Sequence, residues 1–530
     1  MQTAINVDMK ASRRKIDDAF LWALLIGLWL LALAWIRPLS DPDEWRYAMV
    51  ALDMLRNGNW VTPQLNGLPF FHKPPLYYWL AAGGYELFGV HEWVARLPSM
   101  LGAWLAAMSL LVLLKRYTRH STAIAAVLIF LTMPFAYLAA QYANMDMLLA
   151  GCMSACTACA FIATIECGPG KFWRAWITAA GAFAGLGFLA KGLIGLVLPG
   201  LVWCVWMLWE RRWKQLALPL YPPVWFVMLL IAGPWVWLAH KQHPQFLHYF
   251  FVTQHFQRYT ETGFNNPQPW WFYLAVIALA CLPWTLAGIY MLLRQWRARQ
   301  GLMLESDFPT AQTSLDRYMG VWLLAVVAFF SIPSSKVVGY VLPALPPMAY
   351  LIARFWQTAY ADDWRMVQLR WTKLTVTTAF AASLCAALAV GLGTQGVPHK
   401  ARWDRLSMLS VQPEDRIMML GQLYYGAPFY IHSGQVAWVV DDWQAAKASK
   451  SDNWRKELLD AAEFAPNTAS QFLLEKQEAN HILCSTQHRV WVIGEREAAK
   501  DMTPALSNAK PVLELGSRAI WLWTPSQQNC

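Results

Sequence analysis

A polytopic α-helical membrane protein with a small α/β domain at its C-terminal end is the fold class this sequence predicts, and three observations predict it. Apolar residues make up 57% of the 530 positions and charged residues only 14%, too little polar surface for a soluble chain of this size. Runs long enough to cross about 30 Å of hydrocarbon recur along residues 19–392. Beyond them, short β-branched and aromatic runs alternate with stretches of helical spacing.

In chain order the apolar runs are Ala19–Ile36, Pro98–Leu114, Ile124–Ala140, Met147–Ile165, Trp176–Ala190, Leu193–Trp209, Pro222–Leu238, Phe272–Leu293, Tyr318–Ile332, Val337–Ile352 and Leu374–Leu392, or about eleven spans. Basic clusters set their direction, because cytoplasmic loops retain Lys and Arg. Lys10, Arg13, Arg14 and Lys15 precede the first span, and Lys115/Arg116/Arg119, Lys171/Arg174, Arg211/Arg212/Lys214, Arg294/Arg297/Arg299 and Arg365/Arg370/Lys373 mark every second loop. The N-terminus is therefore expected in the cytoplasm. Loops 37–96 and 240–270 and the tail are expected on the other face. The first run lacks a small-residue cleavage site and reads as a retained helix. This divides the chain into a membrane domain, 1–393, and an α/β domain, 394–530. The net charge of +10 falls mostly in the basic loops, which suits anionic headgroups and gives no case for nucleic acid. The 32 tryptophans fit interfacial anchoring.

The first outer loop opens Asp41-Pro42-Asp43-Glu44-Trp45-Arg46-Tyr47 and reads as a helix start, with Asp41 as cap, Pro42 at the first helical position and Asp43 and Glu44 at the positive end of the dipole. Trp45, Met49, Leu52 and Leu55/Arg56 would line one face, and Asn57-Gly58 would stop the helix, which is expected to lie along the membrane surface. Acidic residues in a first turn are often dipole partners and nothing more. Asp43, a few residues beyond the first span, stands where a lipid phosphate would lie and is a candidate catalytic carboxylate. Downstream, Phe71-His72-Lys73-Pro74-Pro75 holds Lys73 in extended backbone between aromatic residues, either as a phosphate-binding cation or as a snorkelling anchor.

The second outer loop carries His248 and His255 among aromatic residues, where hydrogen bonding is the expected use and a metal the alternative. It also carries Arg258, suited to a bidentate phosphate contact. Asn144-Met145-Asp146, Lys191-Gly192 and Ser334-Ser335-Lys336-Val337-Val338-Gly339-Tyr340 complete the polar positions on that face. Charge gathered at one face, with almost none at mid-span, is the pattern of a surface enzyme more than of a conduit.

In the tail, Gln435–Val440, Val490–Ile493 and Ala519–Trp523 are expected strands, and Asn453–Phe464 and Ala469–Ala479 expected helices. Six of the nine cysteines, Cys152, Cys156, Cys159, Cys204, Cys281 and Cys385, lie in apolar spans and are expected to pack, and Cys167 lies in a cytoplasmic loop. Cys484 and Cys530, both in the exported tail, are expected to form a disulfide. No internal repeat and no low-complexity segment is evident.

Asp43-Glu44 followed by Arg46-Tyr47-Ala48, then Gly58-Asn59-Trp60 and Lys73-Pro74, resembles the GT-C superfamily in its protein O-mannosyltransferase-like branch. His248-Tyr249-Phe250-Phe251, His255-x-Gln257-Arg258, Lys191-Gly192 and Lys336 before Tyr340 bring it nearest to the bacterial lipid A aminoarabinose transferases. The resemblance runs over residues 37–345 and is poor in the tail. It implies a GT-C fold of about thirteen spans with a periplasmic soluble domain. It also implies an undecaprenyl phosphate-linked aminoarabinose donor, a lipid A phosphate acceptor and an inner-membrane, periplasm-facing enzyme that confers polymyxin resistance. Under it, Lys73, Arg258, Tyr340, Lys336 and Lys191 would serve the donor phosphate, and Asp43 and Asp146 the chemistry and the sugar. Glu44, Arg46, His72 and His255 are further candidates. His72 stands where the family pattern has Glu, which puts any charge or metal role of that acid in doubt. No cofactor is required by this reading, although a divalent metal near His72 or His255 is a possible addition. A monomer is expected. The rivals are transfer of another sugar such as mannose to protein or glycan and, in another class, a lipid transporter or flippase, which would call for polar broken helices at mid-bilayer.

Overall fold

The computed structural model describes residues 20–169, 172–257, 266–299, 311–359, 377–390, 403–431, 435–449, 453–506 and 509–524. The chain forms two compact units, one of residues 1–36, 96–234 and 268–389, the other of 37–95, 235–267 and 390–530. The second unit thus gathers most of loops 37–96 and 240–270 with the tail, a grouping that cuts across the division at residue 393 read from sequence.

Among the described residues, each apolar run read from the sequence carries a helix. Among the described residues five helices are long and apolar enough to cross a membrane, Leu97–Tyr117, Met145–Ile165, Pro222–Gln242, Ala311–Ser331 and Val338–Gln357. Two bent pairs raise that number to seven. His120–Thr132 and Pro134–Ala140 meet at 66°, where Pro134 removes a backbone donor and ends the first helix. Phe272–Ala280 and Trp284–Tyr290 meet at 103°. Phe20–Leu31, Ile194–Trp209 and Thr377–Val390 are shorter apolar helices, and Trp173–Lys191 completes the set.

Helix Met145–Ile165 is the core of the first unit, buried from Met145 through Thr164. Cys152, Cys156 and Cys159 are free and buried along it, as packing residues should be. Its neighbour Leu97–Tyr117 comes so near that a Cβ on Gly151 would lie 2.3 Å from the Gly102 carbonyl oxygen. With lipid tails as apolar as the side chains, close backbone approach at small residues is what holds such helices together.

In the second unit, the first-loop helix runs Asp43–Asn57 and stops at Gly58, whose φ of 64° is left-handed, as expected of the Asn57-Gly58 pair. Its start differs from expectation. Pro42, not Asp41, occupies the cap position, and Pro42 makes no side-chain cap hydrogen bond. The Ser40 amide donates instead to the buried Glu44 carboxylate at 2.9 Å, and Arg37 pairs with Glu44. The helix is also buried on more than one side, at Glu44, Trp45, Tyr47–Leu52 and Met54, so it does not lie open along a surface. Strands β1 (Gln64–Leu65) and β2 (Leu68–Pro69) form a two-residue hairpin whose turn residues Asn66 and Gly67 have φ of 51° and 75°.

The tail is an α/β domain, as expected, built on β3 (Arg416–Leu420), β4 (Trp438–Asp441), β5 (Leu473–Glu475), β6 (Val490–Glu495), β7 (Leu513–Leu515) and β8 (Arg518–Trp523) in the order β5-β4-β3-β6-β8-β7. β3 is parallel to both β4 and β6, and the β8 and β7 edge is antiparallel. Helix Trp454–Phe464 matches expectation, capped by Asn453, whose side chain accepts from the Arg455 and Lys456 amides. The helix expected over Ala469–Ala479 is two, Pro466–Phe472 and Lys476–Ser485, because Leu473–Glu475 pairs with β4 as a strand. Cys484 is disulfide-bonded, and the partner expected for it, Cys530, lies outside the described residues.

Candidate functional site

Two polar groups hold most of the candidate residues, one in each unit. In the second unit, Asp43 opens its helix with the carboxylate half-exposed, and one oxygen, Oδ1, accepts from Arg46 three residues on. The other side of the Arg46 guanidinium pairs with Glu457 of the tail helix Trp454–Phe464. Tyr425 donates to the second Glu457 oxygen at 2.9 Å, and burial, then the Glu457 charge, push its hydroxyl well above the usual range, so it remains a donor. Arg46 also lies 5.0 Å over the Tyr47 ring. Glu44, a candidate from sequence, is instead the buried partner of Arg37 and belongs to the helix start.

One turn along the same tail helix, Asp460 meets His72 at 3.7 Å, accepts from Tyr249 at 3.1 Å and pairs with Lys456 at 3.0 Å. His72 stacks on Phe70 with ring centroids 4.5 Å apart. Lys73 follows, half-buried in a bend before helix Leu76–Phe88. His255 faces the Phe250 carbonyl oxygen at 2.6 Å through Nδ1, a hydrogen-bonding use. Arg258 lies outside the described residues. Among the described residues, no group of three His, Cys, Asp or Glu is placed to hold a metal.

The first unit holds the second group. The Asn144 side chain accepts from the Asp146 amide at 2.8 Å and caps helix Met145–Ile165, which fixes Asp146 in the first turn. Asp146 pairs with Lys191, the last residue of helix Trp173–Lys191, and both side chains are largely buried. The Lys191 ammonium lies 4.0 Å from the Tyr340 ring centroid. Gly339 must be glycine for this arrangement, since a Cβ there would lie 2.2 Å from Asp146 Oδ2. Lys336 is turned away to backbone, its ammonium donating to the Gln268 and Pro333 carbonyls. That ties loop to loop and occupies two of its three donors.

Sequence reading missed Glu457, Asp460 and Tyr425, and quoted Tyr249 only as part of a motif. A signal was present for the two acids, which fall with Phe464 on one face of a helix that the pattern does reveal.

Asp53 gives the loop a pH dependence. It accepts from the Asn66 amide at 3.2 Å, joining helix Asp43–Asn57 to the hairpin. Burial pushes its carboxyl from 3.8 up to about 7, against the pull of Arg56 and the Asn66 and Gly67 amides. A folded-state value above the unfolded one means that the folded chain holds the proton more tightly. The contribution is full below 3.8 and is lost as pH rises through about 7. The thermal midpoint of the detergent-solubilised protein should therefore fall between about pH 5 and pH 8 more steeply than that of Asp53→Asn. Parallel curves for the two proteins would contradict this.

Residues 72–237 match the family described as dolichyl-phosphate-mannose-protein mannosyltransferase. The chain is 32% identical over 357 residues to undecaprenyl phosphate-alpha-4-amino-4-deoxy-L-arabinose arabinosyl transferase 2 of Pseudomonas fluorescens, covering 66% of this chain and 61% of that one. It is 32% identical over 337 residues to the corresponding transferase of Erwinia tasmaniensis, with 63% and 58% covered. The chain thus spans about three fifths of the length of these curated relatives. Its fold is that of the GT-C membrane glycosyltransferases. The crystal structure of ArnT from Cupriavidus metallidurans bound to undecaprenyl phosphate superposes with a TM-score of 0.75 at 24% identity, over 97% of this chain and 99% of the other. The oligosaccharyltransferase AglB of Archaeoglobus fulgidus superposes with a TM-score of 0.50 at 12% identity, over 92% and 71%.

Proposed function

We propose that this protein is an inverting, lipid-linked glycosyltransferase that moves 4-amino-4-deoxy-L-arabinose from undecaprenyl phosphate to a phosphate of lipid A. The reaction would take place at the periplasmic face of the inner membrane, with the N-terminus in the cytoplasm and the protein acting as a monomer. The observation that carries the chemistry is Asp43, held by Arg46 through one oxygen at a helix start and half-exposed through the rest of its carboxylate. The arabinosyl transferase relatives supply the choice of sugar and carrier.

In the reaction, the bond between the anomeric carbon and the carrier phosphate oxygen breaks, and its electron pair stays on undecaprenyl phosphate. A lipid A phosphate oxygen forms the new bond from the opposite face, which inverts the centre. Charge grows on the departing phosphate, so cations already in place lower the barrier. Lys73 and Arg258 are assigned to it, with Tyr340 as hydrogen-bond donor and Lys191 as a further cation. The acceptor phosphate is anionic at neutral pH and needs little help from a base. Asp43 then orients the acceptor or the sugar amine, and Asp146 is a second polar contact to the sugar. Transfer of mannose from a polyprenyl phosphate is a second reading, favoured by the family description over residues 72–237.

The test is polymyxin survival of a bacterial strain lacking its own aminoarabinose transferase, complemented with the wild-type protein or Lys73→Ala, with lipid A masses read in parallel. Survival and an aminoarabinose-modified lipid A with the wild type alone are expected. An inserted wild-type protein that leaves lipid A unmodified would overturn the reading.

A further inference from the structure

Helix Trp454–Phe464 belongs to the tail, yet one of its faces serves the first outer loop. Glu457 pairs with Arg46. Asp460 reaches His72 and Tyr249, and the Phe464 ring packs 5.1 Å from that of Phe71 and 5.2 Å from that of Tyr249. Tyr425, which holds the other Glu457 oxygen, comes from the loop after β3. That strand lies between β4 and β6 and is parallel to both, and the chain proceeds to opposite sides of it. This is the switch point of a doubly wound sheet, the place where such sheets present ligand-binding loops beyond the carboxyl ends of their strands. Here that edge holds a residue of the catalytic loop's network. Among the described residues, Arg46 Nε and the Tyr78 hydroxyl are buried there without hydrogen-bond partners, and Tyr47, Arg46 and Glu457 are the charge neighbours of Tyr78. Buried polar atoms without partners are rare in native folds and tend to mark functional places.

We infer that Glu457 is a positioning residue for Asp43, acting through Arg46, and that the tail domain thereby completes the catalytic loop. A guanidinium offers two separate donor edges in a rigid plane. With one edge fixed by Glu457, the other presents Asp43 Oδ1 with a set direction, and the half-exposed carboxylate keeps one orientation toward substrate. Asp43 and Glu457 bring two carboxylates to one Arg46 guanidinium, and a carboxylate-rich site suits a cationic group such as the amine of the proposed sugar. This part of the inference rests on the proposed function.

The test uses the full-length protein in nanodiscs with Glu457→Gln, Glu457→Asp, Asp43→Asn and the Glu457→Gln/Asp43→Asn double variant. Donors are undecaprenyl phosphate carrying aminoarabinose or its analogue with a hydroxyl in place of the amine. Glu457→Gln should lower kcat for the amino sugar about tenfold to a hundredfold, the scale of a small misplacement, with a smaller change in donor KM. Glu457→Asp should recover part of the loss. The double variant should be no slower than Asp43→Asn alone, since Glu457 acts through Asp43. The preference for the amino sugar should shrink in Glu457→Gln. Unchanged kcat in Glu457→Gln, or losses that add in the double variant, would overturn the inference. Amide hydrogen exchange supplies a donor-independent reading. Exchange over residues 43–47 should quicken in Glu457→Gln while the tail strands stay protected, and unchanged exchange there would overturn positioning. A wild-type protein that uses neither donor would instead refute the proposed function, with the exchange result still deciding the role of Glu457.

Discussion

Replacing Asp43 with Asn should reduce transfer by about a hundredfold to ten-thousandfold, the range seen when a positioned acid or base is removed, while leaving the fold intact. The two parts of this expectation have separate causes. Asp43 is half-exposed, and its loss leaves Arg46 still paired with Glu457, so no buried charge is stranded. Stability should then change by no more than about 0.5 kcal/mol, as for ordinary surface substitutions. The amide of Asn keeps the shape and loses the negative charge, which isolates electrostatics from packing. Initial rates with saturating donor, beside the thermal midpoint, check both parts. Full activity in a folded Asp43→Asn protein would remove Asp43 from the chemistry.

Replacing Lys191 with Met should cost about 3–5 kcal/mol of stability, because it leaves the Asp146 carboxylate buried without its cation. Gly339 closes over Asp146 so tightly that the carboxylate has little room to turn toward water. A Lys191→Met/Asp146→Asn double variant should recover most of the loss, since removing both members of a buried pair is often near neutral. It should not recover activity if Asp146 contacts the sugar. Denaturation midpoints of the single and double variants measure the first expectation and transfer rates the second. A Lys191→Met protein as stable as the wild type would show that the pair does not hold this corner of the fold.

What sequence could reveal follows the range of each signal. The spans were legible because hydropathy is local, and among the described residues each run carries a helix. The stop at Gly58 was legible because a left-handed residue selects glycine. The helix start was misread because Asp41-Pro42 has the composition of a cap, whereas the structure uses Arg37 and Glu44 to tie down the same turn. Strand β3, the hub of the tail sheet, was missed since Arg416-Ile417-Met418-Met419-Leu420 has one β-branched residue and reads equally well as buried helix. β5 has only three residues, too few for any period to register, and it splits a stretch with helical spacing.

The candidate site divides in the same way. Asp43, Lys73 and Asp146 stood out by charge beside apolar runs. The pairing of Asp146 with Lys191 joins residues 45 apart and that of Arg46 with Glu457 residues 411 apart, and neither spacing leaves a mark in one sequence. His72 illustrates the limit most clearly. Its departure from the family pattern was visible, but the carboxylate beside it, Asp460, comes from the tail, where the resemblance is weakest.

The most direct measurement of the central claim is sugar transfer by the purified full-length protein, with undecaprenyl phosphate-linked aminoarabinose as donor and lipid A as acceptor, followed by mass spectrometry and anomeric analysis of the product. The account predicts lipid A carrying aminoarabinose on phosphate, with the anomeric configuration inverted and one undecaprenyl phosphate released for each sugar moved. Product with retained configuration, or transfer of mannose but not of aminoarabinose, would contradict it.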